Sequence, residues 1–309
     1  MALTNWSIST ETLFYAARYI VPIYAVLTVL SNIFNFIIII VTVRNKHLHN
    51  VCNILIAIQA FGDASITWTV PVMVYNAYVK NLIPISTCYW IHVLPTTSMN
   101  FATLMILFIG IDRLFVVTYP TRYASVNKMR YLTGLLVICV CYSAANLTAT
   151  YVTRSDDMVL CYLADAMTGR GKDFWGLTQV LINISVVVVY SKLRNGLKKR
   201  SGALTRTTRI FRSIYLIMVF YICGWVVTVS LIMTTRVFIS DINLTQICEM
   251  AVGIFATVEL IIPFCVYFHC AQVYRKAILN LFGRTPKIEV LACSVNLSSP
   301  NHLSGRDLI

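Results

Sequence analysis

The sequence predicts an all-α membrane protein: a seven-transmembrane helix bundle with a short amphipathic helix after the seventh span. Three observations carry that prediction. Of the 309 residues, 58% are hydrophobic and only 12% are charged, and the mean hydropathy is +0.74, outside the range of a water-soluble globule. Seven stretches each hold the roughly 20 mainly apolar residues that a helix needs to cross a bilayer. Nearly all the charge falls in the short segments between them. The formal net charge of +13 would suit nucleic acid only if the basic residues gathered on one water-exposed face. Here they alternate with apolar runs, so nucleic acid is excluded as a partner and membrane lipids supply the counter-charge.

The spans fall at 19–43, 51–79, 88–116, 130–153, 174–193, 209–235 and 247–269. The first is too long for the apolar core of a signal peptide and reads as a signal anchor that stays. Asn183 and Ser185 interrupt the fifth. After the seventh, "AQVYRKAILNLFG" (271–283) sets apolar residues on one face and Arg275 and Lys276 on the other, which suits a helix lying on the membrane surface. The expected organisation is therefore an extracellular N-terminus over 1–18, a seven-span domain over 19–270, the surface helix over 271–283, and a polar, disordered cytoplasmic tail over 284–309.

Orientation follows from lysine and arginine. Of the 25, 19 lie in the segments after spans one, three and five or after the seventh, and 6 lie on the opposite side. Positive loops stay in the cytoplasm, which places the N-terminus outside and the C-terminus inside the plasma membrane. Asp156, Asp157, Asp165, Asp173, Asp241 and Glu249 fall in the outer loops. Asn5-Trp6-Ser7 is a glycosylation acceptor on the outer side, although Asn296-Leu297-Ser298 matches equally on the inner side. Cys88 opens the third span and Cys161 lies in the outer loop between spans four and five, both facing the oxidising side. A bridge between them would pin that loop over the bundle. The alternative is two free thiols, an uncommon state outside the cell.

The stretch "IGIDRLFVVTYPTRY" (109–123) sets an acid beside an arginine at the end of an apolar run. From Cys88 to Arg113 is 25 residues, about 37 Å of helix, more than the roughly 30 Å hydrocarbon core. One helix thus joins an outer cysteine to Asp112-Arg113 at the inner mouth, where water relieves the pair's desolvation. Pro120 is expected to end it.

These features together resemble the rhodopsin-like G-protein-coupled receptors, and most closely the nematode serpentine chemoreceptor class srsx. The likeness runs through "NVCNILIAIQAFGD" (50–63), "IGIDRLFVVTYPTRY" and "IPFCVYFHCAQVYRKA" (262–277) and covers nearly the whole chain. It implies a receptor in which Asp112 holds Arg113 at rest and activation frees the guanidinium toward a heterotrimeric G protein, with Tyr123, Pro263 and Tyr267 as further switch positions. The bland alternative is an arginine snorkelling to lipid phosphate. Relatives often carry an acid at the inner end of the sixth span. Here "LTRTTRIFR" (204–212) has Arg206, Arg209 and Arg212 instead, which leaves the lock to Asp112. With Lys192, Arg194, Lys198, Lys199 and Arg200 these make a basic third loop that attracts anionic lipid. Gly224 stands where the sixth span usually has tryptophan, Trp225 follows it, and the kinking proline is absent. Cys270 beside the membrane is a candidate for lipidation.

The resemblance also implies that Asn35 and Asp63 belong to a water and sodium cluster. Glu259 lies at comparable depth without an expected counterpart, and two neighbouring carboxylates in low dielectric should not both ionise. A shared cation or proton is one reading; a neutral glutamic acid bonded to a backbone carbonyl is the other. No further cofactor is implied. The outer halves offer Trp68, Tyr75, His92, Thr96, Asn100, Trp175, Gln179, Trp225 and Thr228 as pocket residues, although Trp175, and with it Trp90, reads better as an interfacial anchor.

Amine receptors carry an aspartate where this chain has Pro95, and no lysine lies in the seventh span for a retinal Schiff base. His47, His49 and His92 cannot converge on a metal, and no catalytic motif stands out, so the reading is not an enzyme. It is a receptor for an extracellular, chemosensory ligand. The rivals are a neuropeptide receptor, suited by the acidic outer loops, and a transporter or ligand-gated channel, which would call for an internal repeat.

Overall fold

A computed structural model describes residues 8–155, 157–200, 216 and 218–283, with the backbone alone for 197–200. Asn5, Asn296, the tail from 284, and Arg206, Arg209 and Arg212 of the basic loop lie outside the described residues. Among the described residues, seven helices are long and apolar enough to cross a membrane: Thr10–Arg44, Val51–Val79, Ile85–Thr118, Lys128–Val152, Gly169–Gly196, Met218–Phe238 and Ile242–Cys270. They are called spans one to seven below.

The first span begins well before Tyr19. Ser9 caps it by accepting the Thr12 N–H, and Leu13, Phe14 and Ala17 are buried, so residues 10–18, expected to belong to a terminal segment, are helical. The fifth span is continuous through its two polar interruptions. Ser185 returns its hydroxyl proton to Leu181 O at 2.9 Å, and Asn183 accepts from Tyr221 of the sixth span at 2.7 Å. Pro120 does not simply end the third span, which stops at Thr118. It opens a short helix, Pro120–Ser125, near whose start a missing N–H costs nothing.

Three spans are irregular. The second tightens into a 3₁₀ turn at Thr67–Thr69, just before Pro71, which lacks an N–H and crowds the preceding turn. The sixth contains a π turn, Ile222–Val226, centred on Gly224. The seventh breaks at Leu260–Ile261, between helices Ile242–Glu259 and Ile262–Cys270, the latter opening on Pro263.

At one end of the bundle, β1 (Ile83–Pro84) pairs antiparallel with β2 (Met158–Val159), Ile83 opposite Val159. The chain after β2 then passes Cys161, which is bonded to Cys88, and makes the turn Leu163–Ala166. This loop lies across the bundle mouth. At the other end, helix Gln272–Leu281 buries Tyr274, Ala277 and Ile278 on one face, as an amphipathic surface helix should. The core runs from Leu13, Val21, Met73 and Met250 near the disulfide to Ile38, Leu55 and Met105 near Arg113. Val26, Ile33, Val140, Leu181 and Phe255 stand exposed on outward faces, where only lipid would cover them without penalty.

Candidate functional site

At the C-terminal end of the third span, Asp112 is fully buried. Its Oδ1 accepts the Tyr123 hydroxyl at 2.8 Å, and its Oδ2 lies 3.5 Å from Arg113 Nε. The arginine contact is an ion pair between chain neighbours, too loose for a hydrogen bond, so the tyrosine is the firmer tether. Burial, then the bond to Asp112 and its charge, push the Tyr123 phenol above its ordinary pKa, which keeps it a donor. Tyr267 and Pro263 are buried nearby in the seventh span. Tyr267 stacks on Tyr274 at 5.0 Å, and Tyr274 OH lies 3.3 Å from Thr42 Oγ1 of the first span.

Midway along the bundle, Asn35 donates to Ser31 Oγ at 3.1 Å and to Leu260 O at 3.2 Å. The broken turn before Pro263 frees backbone carbonyls, and Asn35 takes up one of them. Its Oδ1 is buried without a protein partner. Asp63 and Glu259 are both buried and close enough to feel each other's charge. Glu259 packs against the π turn: a Cβ at Gly224 would lie 2.8 Å from Glu259 Cβ and 3.1 Å from its Cγ. The residue before the seventh-span break thus fills the space that glycine leaves in the sixth.

At the disulfide end, Cys88 and Cys161 are bonded, with Cα atoms 5.5 Å apart. His92 is sealed beneath, its Nδ1 2.9 Å from Cys88 O and 3.4 Å from Cys161 Sγ. Below the loop lies a cavity with about 70 Å³ of free volume, bounded by every span except the fourth and roofed by Leu163, Ala164 and Met167. Among the described residues, no charged side chain lines it. Its hydroxyls spend their protons within the protein. Tyr24 donates to Met250 O at 2.7 Å, Thr67 to Ala64 O at 2.8 Å, and Thr257 to Gly253 O at 3.0 Å. Trp225 donates to Gln179 Oε1 at 3.3 Å. Trp175 Nε1, in the same wall, is a buried donor without a partner.

The family model for the serpentine-type 7TM GPCR chemoreceptor Srsx matches residues 28–282. The chain belongs to that family. No curated protein matches it. Membership makes the chain a multi-pass membrane protein of a receptor family rather than an enzyme family.

Within this Srsx fold, the expected pocket residues divide. Trp225 and Thr228 line the cavity. Gln179 stands behind Trp225 as its hydrogen-bond partner. His92, Thr96 and Asn100 share a buried face of the third span that points elsewhere, His92 against the disulfide, and Met99 meets the cavity instead. Trp68 and Tyr75 are more than half exposed on outward faces and do not reach it. Trp175, read as an interfacial anchor, is buried and meets Trp225 edge-on at 6.4 Å. Trp90 is exposed, as an anchor would be. Charge counting placed Glu249 and Lys172 in outer loops. The structure buries both, with Lys172 Nζ 2.6 and 2.8 Å from the two Glu249 carboxylate oxygens. The available signal was an acid, Glu249, inside the seventh apolar stretch and a lysine, Lys172, just ahead of the fifth.

Proposed function

We propose that this Srsx chain carries a chemical signal from outside the plasma membrane, at its disulfide-bonded face, to a heterotrimeric G protein at the Arg113 face. The observation that carries this reading is the third span. One helix holds both the cysteine that fastens the cavity's roof and the Asp112-Arg113 pair with its Tyr123 tether. A ligand that prefers one packing of the cavity walls biases the whole rod, and with it the release of Arg113. Sidedness is supported by the lysine and arginine asymmetry and by a disulfide, which persists on the oxidising side.

The ligand best fitted to the cavity is small, uncharged and mostly apolar, with at most one hydrogen-bond acceptor. A charge would find no counter-charge in the walls, and the lining donors other than Trp175 Nε1 are engaged. An apolar cavity of about 150 Å³ takes up benzene. With about 70 Å³ free, this one accepts a molecule of that size as Met73, Met99 and Met167 yield, since methionine repacks readily. A volatile chemosensory ligand fits this description better than a peptide, which the closed roof would exclude. Deeper in the bundle, Asn35 Oδ1, Asp63 and Glu259 offer oxygen donors suited to a sodium ion, which would balance the paired carboxylates there.

The test is nucleotide exchange on purified Gα subunits by the chain in nanodiscs, screened with neutral volatiles, amines, carboxylates and peptides. Exchange driven by a neutral volatile and lost in Arg113→Ala is the expected result. Activation by charged ligands or peptides alone would overturn the ligand reading. Undiminished exchange in Arg113→Ala would overturn the coupling.

A further inference from the structure

Above the cavity, three ionisable groups meet out of water. Lys172 lies at the start of the fifth span, Glu249 about two turns inside the seventh, and Asp165 in the loop turn Leu163–Ala166. None is more than 5% exposed. Lys172 spends itself on both oxygens of Glu249. Asp165 is left to backbone amides, its Oδ2 accepting the Tyr162 N–H at 2.8 Å. With all three ionised, the cluster would hold one uncompensated negative charge in a site closed to water, which low dielectric resists strongly. One proton removes it.

We propose that Asp165 is a binding site for an external proton, and that losing this proton loosens the loop over the cavity, so that the receptor's closed roof is set by the acidity outside. The roof residues Leu163, Ala164 and Met167 flank Asp165 directly. Tyr162, whose hydroxyl lies 3.1 Å from that of Tyr24, ties the same turn to the first and seventh spans through Met250 O. A repelled Asp165 carboxylate therefore pushes on the cavity's lid.

The working range is physiological. Burial first and the Glu249 charge second raise Asp165 from the ordinary 3.8 to about 7, with backbone hydrogen bonds and Lys172 offsetting part of the rise. The folded-state pKa is raised, so the stabilisation is complete below the unfolded value and is lost as pH rises through about 7. Around Asp165 the fifth span presents Lys172, the seventh Glu249, the first Tyr24 and the loop itself Tyr162. The third span presents His92, on the far side of Cys161.

The word "external" rests on the sidedness proposed above; the titration does not. The experiment is thermal unfolding of the purified full chain in nanodiscs at pH 6 and pH 8, with neither ligand nor G protein. The midpoint should be higher at pH 6 by about 2–4 °C, and Asp165→Asn should flatten the profile at a midpoint no lower than that of the wild type at pH 8. Glu249→Gln, which removes the repulsion and frees Lys172 for Asp165, should move the transition to lower pH. A flat wild-type profile, or a slope undiminished in Asp165→Asn and thereby carried by another buried group such as Glu259, would overturn the proposal while leaving the coupling reading intact. Failure of nucleotide exchange would leave this one intact.

Discussion

At the scale of single residues, Lys172 and Glu249 set a severe electrostatic constraint. Each is tolerable only because the other is there. Lys172→Met should cost about 3–5 kcal/mol by leaving Glu249 buried without a counter-charge and beside Asp165, whereas Lys172→Met with Glu249→Leu should recover most of that loss. Thermal unfolding of the single and double variants checks this, and equal destabilisation of the two would show that the pairing carries no energy. At this scale the sequence was legible where chemistry demands a residue type. Cys88, Cys161, Asp112 and Arg113 announce themselves because a thiol at an outer rim and a charge pair in an apolar run have few reasons to exist. Trp175 was not legible. A tryptophan near a span end reads the same whether it faces lipid or Trp225, and only the rotation of each helix about its axis decides.

Among elements, the irregular turns matter most. Gly224 has no side chain, the π turn forms there, and Glu259 fills the space from the neighbouring break. π turns of this kind recur at functional sites. Gly224→Ala forces its Cβ to within 2.8 Å of Glu259 Cβ, an overpacking cost of about 1–3 kcal/mol. A lowered unfolding midpoint is expected, and Glu259→Ala in the same background should restore part of it. Span existence was legible because about 20 apolar residues have one common use in a bilayer. Breaks were not legible from proline alone. Pro71 and Pro263 accompany interruptions, yet Pro22 and Pro95 lie inside continuous helices. The seventh-span break has a partner in Asn35, which satisfies Leu260 O from another helix. That partnership is tertiary and leaves no local mark.

For the molecule as a whole, the bundle links two chemically different ends: a roofed, uncharged cavity beneath a disulfide, and a buried acid holding an arginine beside a surface helix. Under the proposed orientation, that asymmetry becomes a direction of signalling. The seven-span architecture was legible because the length of an apolar run needs no coordinates, whereas the cavity's position, bounded by every span except the fourth, depends on packing. The most direct test is the sidedness of intact cells expressing the chain with an epitope at each end. An N-terminal epitope should be stained without permeabilisation and a C-terminal one only after it. Both epitopes on one face, or the reverse arrangement, would contradict it.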